Sequence, residues 1–455
     1  EGGYTLDETY EIFISKDVES INGKPLKKSY QHTFTAFNEL PTIKDKEQLT
    51  QLLNERRKLI QSVAVEQESS SSDSANADMA AHESGEDSRS TSATNVQVEG
   101  IDEGDIIKSD GQFIYFSRHT DIIIAEADHA KSNVVSSIQE EAFHPTELYV
   151  HKDVLVSIGY SYDPLREEEI ESKSNQHDVA SLHPFHSQTS VFLYDISDRS
   201  NPKQIREVVI EGNLNASRKM DGYLYLVLNH YPPYHILEES HIDPRPYIKD
   251  SMLEDESKPI EFDNMYFFPD SKDEHFLILA SVDLNELEKE VSIESYLGAS
   301  HQLYMSKNNM YIAVNHYRNE PSDQHTNDMI VQSQDTKLYQ FGVNEGKFTF
   351  HQSVSVNGTL INQFAMDERH DTFRVATTKG NVWHNKNPST NNIYIFDLDL
   401  NPLGSVEGLA KGERIYSVRF MDDVAYMVTF KQVDPLFVVG LEDPTNPTVL
   451  GELKI

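Results

Sequence analysis

One strand-turn-strand phrase recurs along this chain, and its recurrence constrains the fold more than any single motif. It reads ELYV, turn HKD, VLVSI at 147 to 158, and returns as SRKMDGYLYLVLNHY at 217 to 231 and HQLYMSKNNMYIAVNHY at 301 to 317. Further copies are NQFAMDERHDTFRVATT at 362 to 378 and YSVRFMDDVAYMVTF at 416 to 430, with a degenerate first copy, IIKSDGQFIYFSR, at 106 to 118. A second pair follows each first pair, as in SVFLYDI at 190 to 196 and IREVVI at 205 to 210. Runs of β-branched and aromatic residues closed by tight polar turns are strands, and a unit that recurs in this way must stack on its neighbours to bury its faces.

Four short strands per unit, repeated six times, predict an all-β chain folded as a β-propeller of four-stranded blades. With the strands of a blade lettered a to d from the centre outward, the a-b and c-d turns are short. Nearly all extra length falls between b and c, at about 161 to 188, 232 to 274, 318 to 335 and 380 to 391. In an up-and-down blade the b-c and d-a connections emerge on the same face, so these excursions are expected to crowd one end of the ring. Elaborated loops on a rigid scaffold are where binding usually resides.

Ahead of the repeat the composition changes twice. Residues 1 to 40 alternate as strands do, in YEIFI at 10 to 14 and HTFTAF at 32 to 37, around an Asn-Gly-Lys turn. Residues 41 to 65 hold one amphipathic helix, with Leu49, Leu52, Leu53 and Ile60 on one face and Arg56 interrupting it. Residues 66 to 94 are rich in Ser, Asp, Glu and Ala and have no aromatic residue, so they are expected to form a disordered linker. The start, Glu1-Gly2-Gly3-Tyr4, reads as an internal point with no signal peptide, so processing or truncation upstream is expected.

Charge and cysteine content narrow the chemistry. Against 39 basic residues stand 75 acidic ones, a net charge of -36, which argues against a nucleic-acid partner because phosphate backbones are held by Lys and Arg. There is no cysteine, which excludes disulfides, thiolate zinc sites and thiol nucleophiles. Any metal would therefore bind oxygen or imidazole. No stretch approaches the roughly 20 apolar residues of a membrane-spanning helix.

Two resemblances follow from particular phrases. The stretch GYTLDETYEIFISKDVESINGKPLKKSYQHTFTAF near the start resembles the last strands of a bacterial Ig-like domain of the kind found in surface-layer proteins. The phrase TNVQVEGIDEGDIIKSDG at 94 to 111, with LINQFAMDE at 360 to 368 and RVATT at 374 to 378, is similar to the hallmark of a family of secreted bacterial and archaeal β-propeller proteins distantly related to WD repeats. That resemblance covers about 95 to 455 and implies a secreted or cell-envelope location, with no agreed activity and no assigned catalytic residues. It also implies a propeller continuing past Ile455, which would leave this ring open. The alternative is six blades closed by residues 94 to 99 acting as the outer strand of the last blade.

Candidate residues cluster on the loop-rich face. Asn229-His230-Tyr231 and Asn315-His316-Tyr317 end strand b in successive units, where Tyr160 and Thr378 stand in others, and His384 lies in the fourth insertion. Histidine is a common metal ligand and a capable general base, but repeated units also reuse the same His and Tyr for packing and loop anchoring. His183 and His186 have ligand-like spacing, broken by Pro184, and Asp102, Glu103 and Asp105 in the family phrase can anchor the first strand or hold a divalent cation such as calcium. Asp397-Leu398-Asp399 lacks the glycine that a calcium loop needs and reads as an Asx-turn. No Gly-x-Ser-x-Gly elbow, phosphate loop or His-Glu-x-x-His is present. The expected function is a non-catalytic, extracytoplasmic binding or scaffold module engaging a protein or envelope polysaccharide ligand. The alternative is a metal-assisted hydrolase on the same face.

Overall fold

The computed structural model describes residues 9–15, 18, 30–35, 40–67, 97–98, 100–127, 132–161, 188–232, 243–269, 271, 273–298, 302–318, 333–380, 382, 388–430 and 435–454. The expected turn at 20 to 24 and nearly all of the expected linker lie outside them.

Six antiparallel blades follow one another in chain order. Blade 1 is Ile107–Ser109, Phe113–Arg118, Asp121–Glu126 and Val134–Gln139; blade 2 is Phe143–His151, Val154–Ser161, Gln188–Asp195 and Lys203–Glu211. Blade 3 is Asn213–Met220, Tyr223–His230, Phe276–Asp283 and Ser292–Leu297; blade 4 is Gln302–Met305, Asn309–Arg318, Ser333–Asn344 and Lys347–Val356. Blade 5 is Met366–Arg369, Thr372–Lys379, Thr390–Asp397 and Pro402–Leu409; blade 6 is Arg414–Met421, Val424–Phe430, Pro435–Gly440 and Thr448–Lys454. The expected fold is therefore the observed one: a β-propeller with four strands at the heart of every blade.

The period-2 alternation of a strand explains how the blades hold together. In strand b of blade 3, Leu224, Leu226 and Leu228 pack with blade 2, while the intervening Tyr225 and Val227 pack with blade 4. Strand c repeats the division: Ile278 and Ala280 face one neighbour, Leu277 and Leu279 the other. Buried clusters built in this way join blade 1 to blade 2, blade 2 to blade 3, blade 3 to blade 4, and blades 4, 5 and 6 to one another. Among the described residues, none of these clusters joins blade 6 to blade 1.

Tight turns close the a-b and c-d pairs. Asp221 and Gly222, between strands a and b of blade 3, both have positive φ (51° and 84°), as do Glu345 and Gly346 in the c-d turn of blade 4 (48° and 77°). Two such residues in succession match the right-handed twist of the flanking strands. Asp397 Oδ1 accepts from the backbone N–H groups of Asp399 and Asn401 at 3.0 and 2.8 Å, the Asx-turn expected there.

The longest insertion behaves differently from expectation. Its described part leaves the b-c end of blade 3 and turns outward. Tyr247–Asp250 and Glu254–Pro259 extend the outer edge of blade 2, and Met265–Phe267 adds in parallel to strand d of blade 3. Much of this excursion is thus outer wall, since Ile248, Ile260 and Met265 supply apolar side chains to the seam between blades 2 and 3. Arg206 of blade 2 fastens it: its guanidinium meets Asp250 in two hydrogen bonds of 3.0 and 2.5 Å and donates to the carbonyls of Leu287 and Lys289.

The helix Lys46–Gln67 docks on this wall. Asp45 caps it by accepting from the Gln48 N–H at 2.8 Å, and the Gln48 side chain reaches back to the N–H of Lys44. Leu49 and Leu53 are fully buried in the cluster of blades 2 and 3. Arg56, which interrupts the apolar face, is buried too; it donates to the carbonyls of Phe268 and Ser271, and burial pulls its pKa down to about 10. Before the helix, Thr42 forms a bridge with Tyr266, so the chain joins the outer edge of blade 3. The strands Thr9–Ile14 and Tyr30–Thr35 pair antiparallel with each other.

Candidate functional site

Two regions carry the residues singled out in the sequence: the rim where the b-c connections emerge, and the inner side of the ring. At the rim, strand b of blade 2 ends with Tyr160 opposite Thr189, strand b of blade 3 with His230 opposite Phe276, strand b of blade 4 carries His316 opposite Asp335, and strand b of blade 5 carries Thr378 opposite Asn391. Counted from the first residue of strand b, His230 and His316 are both eighth and so equivalent, whereas Tyr160 and Thr378 are seventh, the places of Asn229 and Asn315; the four positions expected to match thus fall into two pairs one residue apart.

Their surroundings differ. Tyr160 is exposed and stacks on His144, the second residue of strand a in the same blade, with ring centroids 4.8 Å apart. His230 is buried, its ring 5.9 Å from that of Phe276. Tyr231, one residue on, is exposed and lies against His275 at 4.1 Å. The Nδ1 of His275 sits 2.7 Å from an oxygen of Asp273. Burial, and then the negative charge of Asp273, raise the pKa of the Tyr231 hydroxyl. Adjacent blades thus each present a Tyr over a His at this end. The histidines of these pairs, His144 and His275, escaped the sequence reading because each lies across a strand pair from its tyrosine. The signal was the strand register, with His144 opposite Tyr160 and His275 just before Phe276, the partner of His230.

His316 and Tyr317 are placed by their backbone in strand b of blade 4; their side chains, and the residues His183, His186 and His384, lie outside the described residues. Asn229 is buried with its Oδ1 lacking a hydrogen-bond partner among the described residues. No group of three or more His, Asp or Glu in metal-holding geometry occurs among the described residues.

The family phrase lies inside the ring. Gln97 donates its side-chain N–H to the carbonyls of Gln363 and Met366, at the start of blade 5. Val98 packs in the clusters of blades 3 to 6, and Ile101 is buried between blades 3 and 4. Asp102–Glu103 pairs with strand a of blade 3, Asp105 bridges to Leu148 of blade 2, and the chain then enters blade 1. Residues 97 to 105 therefore form a strap across the inner strands. This corrects the alternative in which residues 94 to 99 serve as the outer strand of blade 6, for the described Gln97 and Val98 lie at the opposite, central edge of the sheets.

The carboxylates of the strap meet cations of the protein itself. Asp102 lies 2.6 Å from Lys108 Nζ and 3.2 Å from Lys219 Nζ, and Glu103 lies 3.2 Å from Arg218. Arg218 also donates to the Gln363 side chain, so one guanidinium ties blade 3, the strap and blade 5 together. A Cβ at Gly104 would fall 2.2 Å from an oxygen of Glu147, so a larger residue there would displace that carboxylate. Glu147 accepts from the Ser217 hydroxyl, which is also 2.6 Å from the Tyr149 hydroxyl. Burial raises the Glu147 pKa above its ordinary value. Asp102 and Glu103 thus anchor the start of the first blade, one of the two roles their sequence allowed.

An array of four-stranded blades around an inner strap defines a propeller scaffold, and the family comparison agrees. The model of the beta propeller domain family matches residues 91–455, and the chain belongs to that family. An uncharacterized protein of Methanocaldococcus jannaschii is 30% identical over 440 residues, covering 80% of this chain and 62% of its own length. An uncharacterized protein of Archaeoglobus fulgidus is 27% identical over 418 residues, covering 80% of this chain and 64% of its own. The chain thus spans less than two thirds of the length of these relatives. Among solved structures, a mutant apocarotenoid oxygenase of Synechocystis aligns over 77% of this chain and 71% of that one, with a TM-score of 0.31 and 9% identity. A eukaryotic initiation factor aligns over 79% and 90%, with a TM-score of 0.28 and 9% identity.

Proposed function

We propose that the chain is a non-catalytic binding module of the extracytoplasmic space, engaging a protein or envelope polysaccharide through the rim from which the long b-c connections rise. The observation that carries this reading is the pairing of an exposed tyrosine with a histidine at the rim in two adjacent blades, Tyr160 with His144 and Tyr231 with His275. Aromatic rings presented on a rigid frame offer large contact area at low entropic cost, with a polar edge for hydrogen bonding. Tyr160 and His144 rest on strands of blade 2, and Tyr231 and His275 directly adjoin the ends of strands b and c of blade 3, so the pairs are held in place before a ligand arrives. Aromatic pairs fixed on or beside strand ends suit a flat or extended ligand, whether a sugar chain or a protein surface. No helix of the described residues is long and apolar enough to cross a membrane.

Cosedimentation with isolated cell-envelope polysaccharide, and with the envelope protein fraction, tests the reading. The protein should bind one of the two, and Tyr160→Ala with Tyr231→Ala should weaken that binding at least about tenfold, while circular dichroism stays unchanged. Equal binding by the double variant would remove the rim as the binding face. Stoichiometric zinc or calcium in the purified protein, with hydrolytic activity lost on His275→Ala, would instead favour the metal-assisted hydrolase.

A further inference from the structure

Between the outer strand Met265–Phe267 and strand c of blade 3 the chain leads from the docked helix to the rim, and hydrogen bonds mark each described step. The Phe268 carbonyl accepts from Arg56 Nη2 at 3.0 Å and from the Ser271 N–H at 3.2 Å, and the Ser271 carbonyl accepts from Arg56 Nε at 3.2 Å. Ser271 Oγ in turn accepts from the Asp273 N–H at 3.1 Å. Asp273 Oδ1 accepts from the His275 N–H at 3.0 Å and lies 2.7 Å from the ring Nδ1 of the same residue. The His275 carbonyl accepts from the Gly298 N–H at 2.8 Å, just past strand d, and the His275 ring ends 4.1 Å from that of Tyr231. A helix side chain is thereby joined to an exposed aromatic ring of the rim. Phe268 is pinned from the other side as well, its N–H donating to the Leu297 carbonyl at 2.9 Å and its ring centroid 4.0 Å from that of Tyr339 in blade 4.

Packing alone does not call for arginine at this place. Leu49 and Leu53 already dock the helix, and position 56 continues their stripe, where an apolar side chain would bury without desolvating a charge. The cost of burial shows in the lowered pKa of Arg56, and the charge of Asp273 is foremost among those opposing that fall. We propose that Arg56 is a positioning residue for the rim: from the N-terminal helix it holds the carbonyls of Phe268 and Ser271, and through Ser271 and Asp273 it sets the place of the His275 ring against Tyr231. The two aromatic pairs of the rim then differ in kind. Tyr160 and His144 face each other across strands a and b of blade 2 and depend on that blade alone. Tyr231 and His275 depend in addition on a helix that enters from outside the ring. The effect on a ligand rests on the rim being the binding face; the placement of His275 does not.

The test follows the ring signals of His275 and His144 by NMR in protein carrying labelled histidine, each identified by its loss in His275→Gln or His144→Gln. Arg56→Ala should move the His275 signal in the direction that Tyr231→Leu moves it and leave that of His144 in place. Hydrogen exchange at the amides of Asp273, His275 and Gly298 should quicken at least about tenfold, with those of Gly358 and Gly412 unchanged. Should Arg56→Ala fail to fold, Ser271→Ala cuts the same path one step further on, leaves both Arg56 bonds to carbonyls in place, and should shift His275 alike. A His275 signal that stays put, or one that moves together with His144 while exchange rises throughout, overturns the proposal. In cosedimentation with envelope polysaccharide and envelope protein, Arg56→Ala should weaken binding about threefold or more. If Tyr160→Ala with Tyr231→Ala binds as well as the parent, the rim reading falls and the His275 shift still decides the role of Arg56. If that double variant binds weakly but Arg56→Ala leaves both binding and His275 unaltered, the rim stands and Arg56 serves only to dock the helix.

Discussion

Blade 3 and blade 6 are written in the same four-strand pattern, yet blade 3 is buried on both faces and blade 6 on one. In blade 3 the odd and even residues of strand b divide between two neighbours, with Leu226 among blade 2 side chains and Tyr225 among those of blade 4. In blade 6, Met427 has such a neighbour, whereas Tyr426 meets solvent over more than a third of its surface. A strand of a propeller is thus apolar throughout because it expects two neighbours, and alternation cannot reveal which of them is present.

That contrast can be broken in three ways. The largest effect is expected at the fastening of blade 2 to the outer wall. Asp250→Ala would leave the Arg206 guanidinium, only 1% exposed, without its carboxylate, at a cost of about 3–5 kcal/mol in urea unfolding. Next, Leu226→Ala should cost about 3 kcal/mol, while Tyr426→Ala in the 455-residue chain should cost less than about 0.5 kcal/mol. Equal costs at Leu226 and Tyr426 would mean that blade 6 is packed on both faces in solution and that the two blades do not differ.

The smallest effect concerns pH. Burial raises the native pKa of Glu147 above its ordinary 4.5, so the folded state holds the proton more tightly than the unfolded chain. The stability this group contributes is complete below the unfolded value and is lost as pH rises through the higher native one. Glu147→Gln should abolish that slope and leave the melting midpoint at neutral pH unchanged or higher by about 1–2 °C. Melting curves from pH 4 to 7 for the two proteins would show it, and an unaltered slope would place the titration elsewhere.

How far the sequence could be read depended on whether a feature was local or shared between distant segments. The tight turns at Asp221-Gly222 and at Asp397 are local, and so were legible, as was the helix around Leu49 and Leu53. The role of Arg56 was not, because the carbonyls it satisfies, at Phe268 and Ser271, belong to a segment more than 200 residues away. The same distance hid the outer strands Tyr247–Asp250 and Glu254–Pro259, which read as loop until the edge of blade 2 supplied their hydrogen-bond partners. At the rim, the equivalence of His230 and His316 followed from counting residues from the turn, and the same count sets Tyr160 one residue earlier, level with Asn229. That His230 turns inward and Tyr231 outward, against His275, depended on the packing of strand c.

By itself, then, the amino-acid order determined the repeated unit, its six recognisable copies and the end of the blades from which the long connections leave, since each follows from alternation and turn chemistry within a few residues. The path of residues 97 to 105 through the interior, the cations that hold Asp102 and Glu103, and the uncovered faces of the first and last blades were decided only when the sheets came together. These features depend on contacts between segments far apart in the chain, and side-chain periodicity has no term for them.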